Sequence, residues 1–236
     1  MSDLRIILWD IDGTLVRTRR QGVFKDYTTP VLMRVFGTAG RLNELSVSGM
    51  TDLQIVAEAL REEGFTKEQI RARAGELTAL YLEELERLTG GEEIYYALPG
   101  ALDALEAVER HSRYLNSLLT GNVEPAAYCK LRLVGLERFF RLPGAFGEDS
   151  HDRRELPALA CERISRHLGV ELKPGQLIVI GDTPNDIACA RHFGARAVAV
   201  ATGRAYGVED LLPHEPDAVL PDLTDTELVL RTLAEL

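Results

Sequence analysis

What most constrains this chain is a recurrence. Apolar runs of four to six residues, RIILW, YLNSLL, LIVI and AVAV, with a weaker DAVL near the end, are separated by stretches of helical periodicity. Short apolar runs bounded by Gly, Asp and Thr read as strands of a parallel sheet that is covered on both faces. From Pro99 onward helix and strand alternate. That order predicts an α/β fold, a doubly wound parallel sheet of Rossmann-like type, with its chemistry at the carboxyl ends of the strands.

Between the first strand and Pro99 the pattern changes. No β run is evident there, and three segments, roughly 22–36, 52–63 and 67–88, have helical periodicity. The block reads as a helical insertion, and TGGEEIYYALPG provides the return linker. Its charged stretches, such as EELER, read as solvated helix faces.

The 236 residues suffice for a substantial core, and 45% hydrophobic with 27% charged residues is ordinary for a globular chain. A formal net charge of −10 argues against nucleic acid or an anionic membrane as partner, since both demand a basic face. Cys129, Cys161 and Cys189 form no C-x-x-C pair and read as buried thiols in a reducing compartment. The start, MSDLRIILWD, does not resemble a signal peptide, and no stretch approaches the roughly 20 apolar residues of a membrane span. The expected location is cytoplasmic.

Chemistry collects in four places. Asp10-Ile11-Asp12-Gly13-Thr14 ends the first strand. Two carboxylates so close repel unless a cation or a shared proton intervenes. An EF-hand is excluded, because a strand precedes the motif, the glycine comes too early and the twelfth loop position is Gln21. Thr120-Gly121-Asn122 ends a second strand, where a hydroxyl and free N–H groups suit an anionic oxygen, although a plain turn reads equally well. GDTPND places Asp182 and Asp186 around a helix start with Pro184 at its first position. Capping accounts for Thr183 and Pro184 but leaves the second carboxylate unexplained. Finally, Arg153 and Arg154 precede a helix and offer a fixed cation.

In this order, D-x-D-G-T-L, L-L-T-G-N, a basic residue before a helix, and G-D-T-x-x-D resemble the haloacid dehalogenase superfamily of Mg-dependent phosphatases, over nearly the whole chain. The resemblance implies an α/β core of residues 1–16 and 97–236 with a small helical cap at 17–96. Within the cap, SGMTDLQIV looks like the corresponding segment of phosphoglycolate phosphatase-type members, which points to Thr51 and Asp52 as substrate contacts. By the family mechanism Asp10 is the nucleophile and Asp12 the general acid and base. Mg2+ is held by Asp10, the main-chain carbonyl of Asp12, Asp182 and Asp186. Phosphate contacts fall to Gly13, Thr14, Thr120, Gly121, Asn122 and one of Arg153 and Arg154, the substrate being a small phosphorylated metabolite.

Three departures from the family pattern stand out: Trp9 where Phe is common, TRRQG after the first motif, and arginine where lysine is usual. Arg17, Arg19 and Arg20 read first as a solvated basic loop, and second as a contact for another anionic group on the substrate. Asp12 makes a dehalogenase improbable. The nearer rivals are a sugar-phosphate mutase using the same aspartates and a catalytically idle binding module of the same fold.

Overall fold

The computed structural model describes residues 4–236. Along the chain, β1 (Arg5–Trp9) leads to β2 (Val16–Thr18), helices α1 (Val23–Phe36), α2 (Asp52–Ala59), α3 (Lys67–Ala72) and α4 (Ala74–Thr89), and β3 (Tyr95–Ala97). Then come α5 (Ala101–Arg110), β4 (Tyr114–Leu118), α6 (Glu124–Leu133), α7 (Leu156–Leu168), β5 (Leu177–Gly181), α8 (Pro184–Phe193), β6 (Arg196–Val200), α9 (Val208–Leu211), β7 (Ala218–Leu220) and α10 (Thr226–Glu235). Five of the strands form a parallel sheet in the order β4-β1-β5-β6-β7, the doubly wound arrangement expected from the sequence.

The strands are apolar throughout because each is buried twice. In β1, Ile7 and Trp9 enter the core on one face while Ile6 and Leu8 enter the core on the other. In β5, Ile178 and Ile180 oppose Leu177 and Val179, and in β6, Val198 and Val200 oppose Ala197 and Ala199. This period-two split between two cores is the signature of a sheet with helices on both sides. Each such side chain contributes roughly 1.5–3 kcal/mol on full burial. Trp9 carries a polar atom into this core, and its Nε1 donates to Asn116 Oδ1 on β4 at 2.8 Å. Asn116 in turn donates to the Leu105 carbonyl of α5 at 3.3 Å. The indole thus has a partner that a phenyl ring at this position would leave unmatched.

The segment between β1 and Pro99 departs from its expected all-helical character. β2 and β3 pair antiparallel, Val16 opposite Ala97 and Thr18 opposite Tyr95, so the outgoing and returning connections form one two-stranded ribbon. The helix expected over 67–88 is broken at Arg73, whose φ of −101° and ψ of 6° separate α3 from α4. The one expected over 52–63 ends at Ala59 and continues as a 3-10 turn at Arg61–Glu63. The helices pack through apolar stripes and aromatic edges, Tyr27 of α1 meeting Tyr81 of α4 with ring centroids 5.9 Å apart.

These helices share one continuous apolar core with the α5 and α10 face of the sheet. Backbone contacts bind the start of α2 to the sheet's carboxyl edge: Asp52 N donates to Gly121 O at 2.7 Å, and Leu53 N to Gly147 O at 3.4 Å. Asn185 Nδ2 on α8 donates to Gly49 O at 3.0 Å. The three cysteines are buried and unbridged. Among the described residues, no helix is long and apolar enough to cross a membrane.

Candidate active site

Three strand ends converge. Asp10 follows β1, Thr120 lies just beyond β4 and Asp182 follows β5, and β1 sits between the other two strands. A parallel sheet delivers these side chains to one edge, at the crevice where connections leave in opposite directions. Gly13 makes the turn after Asp12 with φ +94°, and a Cβ there would overlap the Asp182 carboxylate. Only glycine satisfies both the backbone angle and the close approach.

Asp10, Asp182 and Asp186 are all buried and can bring one oxygen each within 4.8 Å of one another. The cation among them is Arg153. Its Nη2 donates to Asp10 Oδ1 at 3.0 Å and to Asp186 Oδ1 at 2.5 Å, and it is 5% exposed. Arg154 points away, exposed, and closes on Asp152 at 2.6 Å. The open choice between the two arginines is thereby resolved in geometry: Arg153 faces the carboxylates. Asp186 has two tasks. Its Oδ2 accepts from Thr183 N at 3.0 Å and Thr183 Oγ1 at 2.7 Å, closing the start of α8, while Oδ1 takes Arg153.

Three carboxylates against one guanidinium leave the cluster short of positive charge. Burial, opposed by Arg153 and reinforced by Asp186 and Asp12, pushes Asp10 up to about 7. Burial, then the neighbouring Asp10 and Asp186, holds Asp182 well above the usual carboxylate range. An all-oxygen, charge-deficient cluster of this kind fits a hard divalent cation such as Mg2+. The chemistry of the donor set, with neither His nor Cys, disfavours zinc.

Asp12 belongs to a second group. Its Oδ2 accepts from Lys130 Nζ at 2.7 Å and from Asn122 Nδ2 at 2.8 Å. Lys130 Nζ also donates to Asn122 Oδ1 at 2.6 Å, and Asn122 Nδ2 to Thr120 Oγ1 at 2.8 Å. Thr120 Oγ1 accepts again from Asn122 N at 3.3 Å, which leaves its own proton free to be donated. Burial works against the charge of Lys130, but Asp12 and Tyr95 outweigh it and the ammonium is held above the usual lysine range.

A cavity of about 560 Å3 opens above these groups, bounded by Asp10, Asp12 and Arg153 below and by Phe24, Val47 and Ile55 of the helical segment above. Asp52 and Lys130 also reach it. Asp52 is 4% exposed, its Oδ2 accepts from Val123 N at 2.8 Å, and burial raises it to about 7 against the opposing pull of Val123 N and Lys130. Gly121 borders the cavity and admits no side chain, since a Cβ would overlap the Met50 carbonyl.

Two residues expected to touch substrate are committed elsewhere. Thr51 Oγ1 caps α2 by accepting from Gln54 N at 3.1 Å and donates to Ser150 O at 2.8 Å, and it does not border the cavity. Thr14 is buried with Oγ1 3.4 Å from Asp182 Oδ1. The TRRQG arginines also stand aside: Arg19 pairs with Glu93, Arg20 with Asp26, and neither they nor Arg17 line the cavity. Lys130, Tyr27, Tyr95 and Arg204 do line it and were not assigned to it from motifs. For Lys130 a signal existed, a lone charge among the apolar residues of AAYCKL.

A family model described as HAD-hydrolase-like matches residues 154–226. Phosphoglycolate phosphatase 1 of Pseudomonas aeruginosa is 25% identical over 229 residues, covering 94% of this chain and 78% of its own length. A crystal structure of a predicted phosphoglycolate phosphatase from Haemophilus somnus superposes with a TM-score of 0.63 at 19% identity, covering 98% of this chain and 99% of that one. The β-phosphoglucomutase of Clostridium difficile superposes with a TM-score of 0.67 at 18% identity and 98% coverage of both chains, a likeness of fold.

Proposed function

We propose that this chain, similar to haloacid dehalogenase-like hydrolases over residues 154–226 and to phosphoglycolate phosphatase of Pseudomonas aeruginosa at 25% identity, is a Mg2+-dependent phosphatase acting on a small phosphate monoester through an aspartyl-phosphate. The observation that carries this reading is the meeting of Asp10, Asp182 and Asp186 around Arg153 at the floor of the cavity. Residues 17–96 act as the cap that encloses the substrate.

An oxygen of Asp10 attacks phosphorus and the bond from phosphorus to the ester oxygen breaks. Asp12 gives its proton to the departing alkoxide. Water then attacks the same phosphorus, Asp12 takes a proton from it, and the bond to Asp10 breaks to release inorganic phosphate and restore both carboxyls. Arg153 holds Asp10 toward the phosphoryl group. It offers its remaining cavity-facing N–H groups to the oxygens where charge accumulates. Thr120 donates its free proton there as well.

Mg2+ held by Asp10, the Asp12 carbonyl and Asp182, with Asp186 beside it, would neutralise the phosphoryl oxygens and the crowded carboxylates. Phe24, Val47 and Ile55 give the cap side of the cavity an apolar wall.

A phosphate-release screen over metabolite monoesters, run with Mg2+ and with a chelator, tests the reading. Release that requires Mg2+ supports it. Isomerisation of a hexose phosphate without stoichiometric free phosphate would replace it with the mutase reading, and inactivity over the whole panel would leave only a binding role.

A further inference from the structure

We infer that Lys130 is a positioning residue that locks the rotamer of Asp12. The inference rests on the phosphatase reading, in which Asp12 moves the proton.

The starting point is an imbalance of exposure. The Asp12 side chain is 44% exposed whereas that of Lys130 is 3% exposed, yet they meet at 2.7 Å. A half-exposed carboxylate left alone would rotate among staggered positions. Both donors, Lys130 Nζ and Asn122 Nδ2, reach the same oxygen, Oδ2. Held on one oxygen, the carboxyl presents Oδ1 in a fixed direction, as proton transfer to a departing oxygen requires. The lysine is itself fixed by Asn122 Oδ1 at 2.6 Å, which closes a three-membered network of Lys130, Asn122 and Asp12.

Stability gives little reason for this arrangement. A buried ammonium loses its hydration, and replacing a buried ion pair by apolar groups is often neutral or favourable. Two aromatic rings offset part of that loss. Nζ lies 5.9 Å from the centroid of Tyr27 and 5.7 Å from that of Tyr95, within cation–π range. Tyr27 is on α1 and Tyr95 on β3, whereas Lys130 is on α6 and Asn122 follows β4. The walls of the lysine pocket therefore come from the helical segment and its ribbon, and its polar partners come from the sheet. Seating that segment completes the lysine pocket.

The test compares leaving groups. For Lys130→Met, kcat/KM should fall about 100-fold on an alkyl monoester, within the range typical of general acid catalysis, and less than about fivefold on 2,4-dinitrophenyl phosphate, whose departing oxygen needs no proton. kcat/KM reports the steps up to alcohol release, so it isolates proton donation from the later water attack. The double variant Lys130→Met with Asp12→Asn should be no slower on the alkyl ester than Asp12→Asn alone. Lys130→Gln, which keeps a donor, should show the same leaving-group dependence in milder form and covers the case in which Lys130→Met does not fold. An equal loss on both esters, or additive losses in the double variant, overturns the assignment. A wild-type chain that hydrolyses neither ester, nor any in the Mg2+ screen, overturns the phosphatase reading itself and the catalytic meaning of the clamp with it.

Discussion

With divalent cations removed, Asp10→Asn should make this protein more stable, and with Mg2+ present the same change should abolish turnover. Asp10 is 6% exposed and its carboxyl rises from an ordinary 3.8 to about 7 on folding, chiefly through burial. Each unit of pKa corresponds to 1.36 kcal/mol, so an ionised Asp10 at pH 8 destabilises the fold by about 4 kcal/mol. Asp182 shares the same repulsion, and the amide gives up one partner of Arg153, which keeps Asp186 at 2.5 Å. Allowing half for both effects leaves about 2 kcal/mol, or a rise in Tm of about 4–8 °C for a chain of this size.

The dependence on pH has a definite direction. Between 3.8 and about 7 the folded state binds the Asp10 proton more tightly than the unfolded state does, so the wild type loses stability as pH rises through that window. The asparagine variant does not lose it. The gap in Tm should be near zero at about pH 4, open as pH rises and level off above pH 7. Saturating Mg2+ should shrink it, because the cation stabilises the wild type by mass action and the variant lacks a ligand. Thermal melts of both proteins across pH, in chelator and in Mg2+, measure all of this. A variant that melts no higher than wild type at pH 8 in chelator, or a gap that ignores pH, would refute the electrostatic account.

Arg153→Ala should reduce kcat/KM by about 100-fold or more, since it strips the buried cation from Asp10 and Asp186, whereas Arg154→Ala should stay within about twofold because it loses only an exposed pair with Asp152. Steady-state kinetics on one substrate separates the two. Gly13→Ala forces a Cβ into the Asp182 carboxylate at a φ of +94°, and the Mg2+ concentration for half-maximal activity should rise about tenfold or more. Trp9→Phe leaves the buried Asn116 Oδ1 without its donor and should lower stability by about 1–3 kcal/mol in urea denaturation, with the substrate KM little changed.

The five sheet strands were legible because burial on both faces makes each of them apolar at successive positions, as Ile6 to Trp9 illustrate. The ribbon was not. VRT and YYA are three residues each, too short to display a period, and they pair only because the chain returns from an insertion to the point where it left. Helix type was readable while helix ends were not, since at the break at Arg73 the apolar periodicity continues and Gly75 nearby is the sole local sign. In the site, aspartates close behind strands betray themselves by spacing and charge. Hydroxyls do not. Thr51 and Thr14 have the same chemistry whether they meet a substrate, cap a helix or approach Asp182, and only the fold distinguishes these uses. The arginine pair shows the same limit, because adjacent residues at a helix start point in different directions and their order in sequence does not say which turns inward.

The position of β1 has a consequence for how the protein is made. It leaves the ribosome well before its partners and occupies the interior of the sheet, since its neighbours β4 and β5 begin only at Tyr114 and Leu177. At about 5–20 residues per second, the RIILW segment waits many seconds for either edge to be matched. During that interval the helices of the insertion are already synthesised, and α1 can meet α4, as Tyr27 meets Tyr81. Until then RIILW is an extended, unpaired apolar segment, the kind that a chaperone recognising hydrophobic stretches would bind.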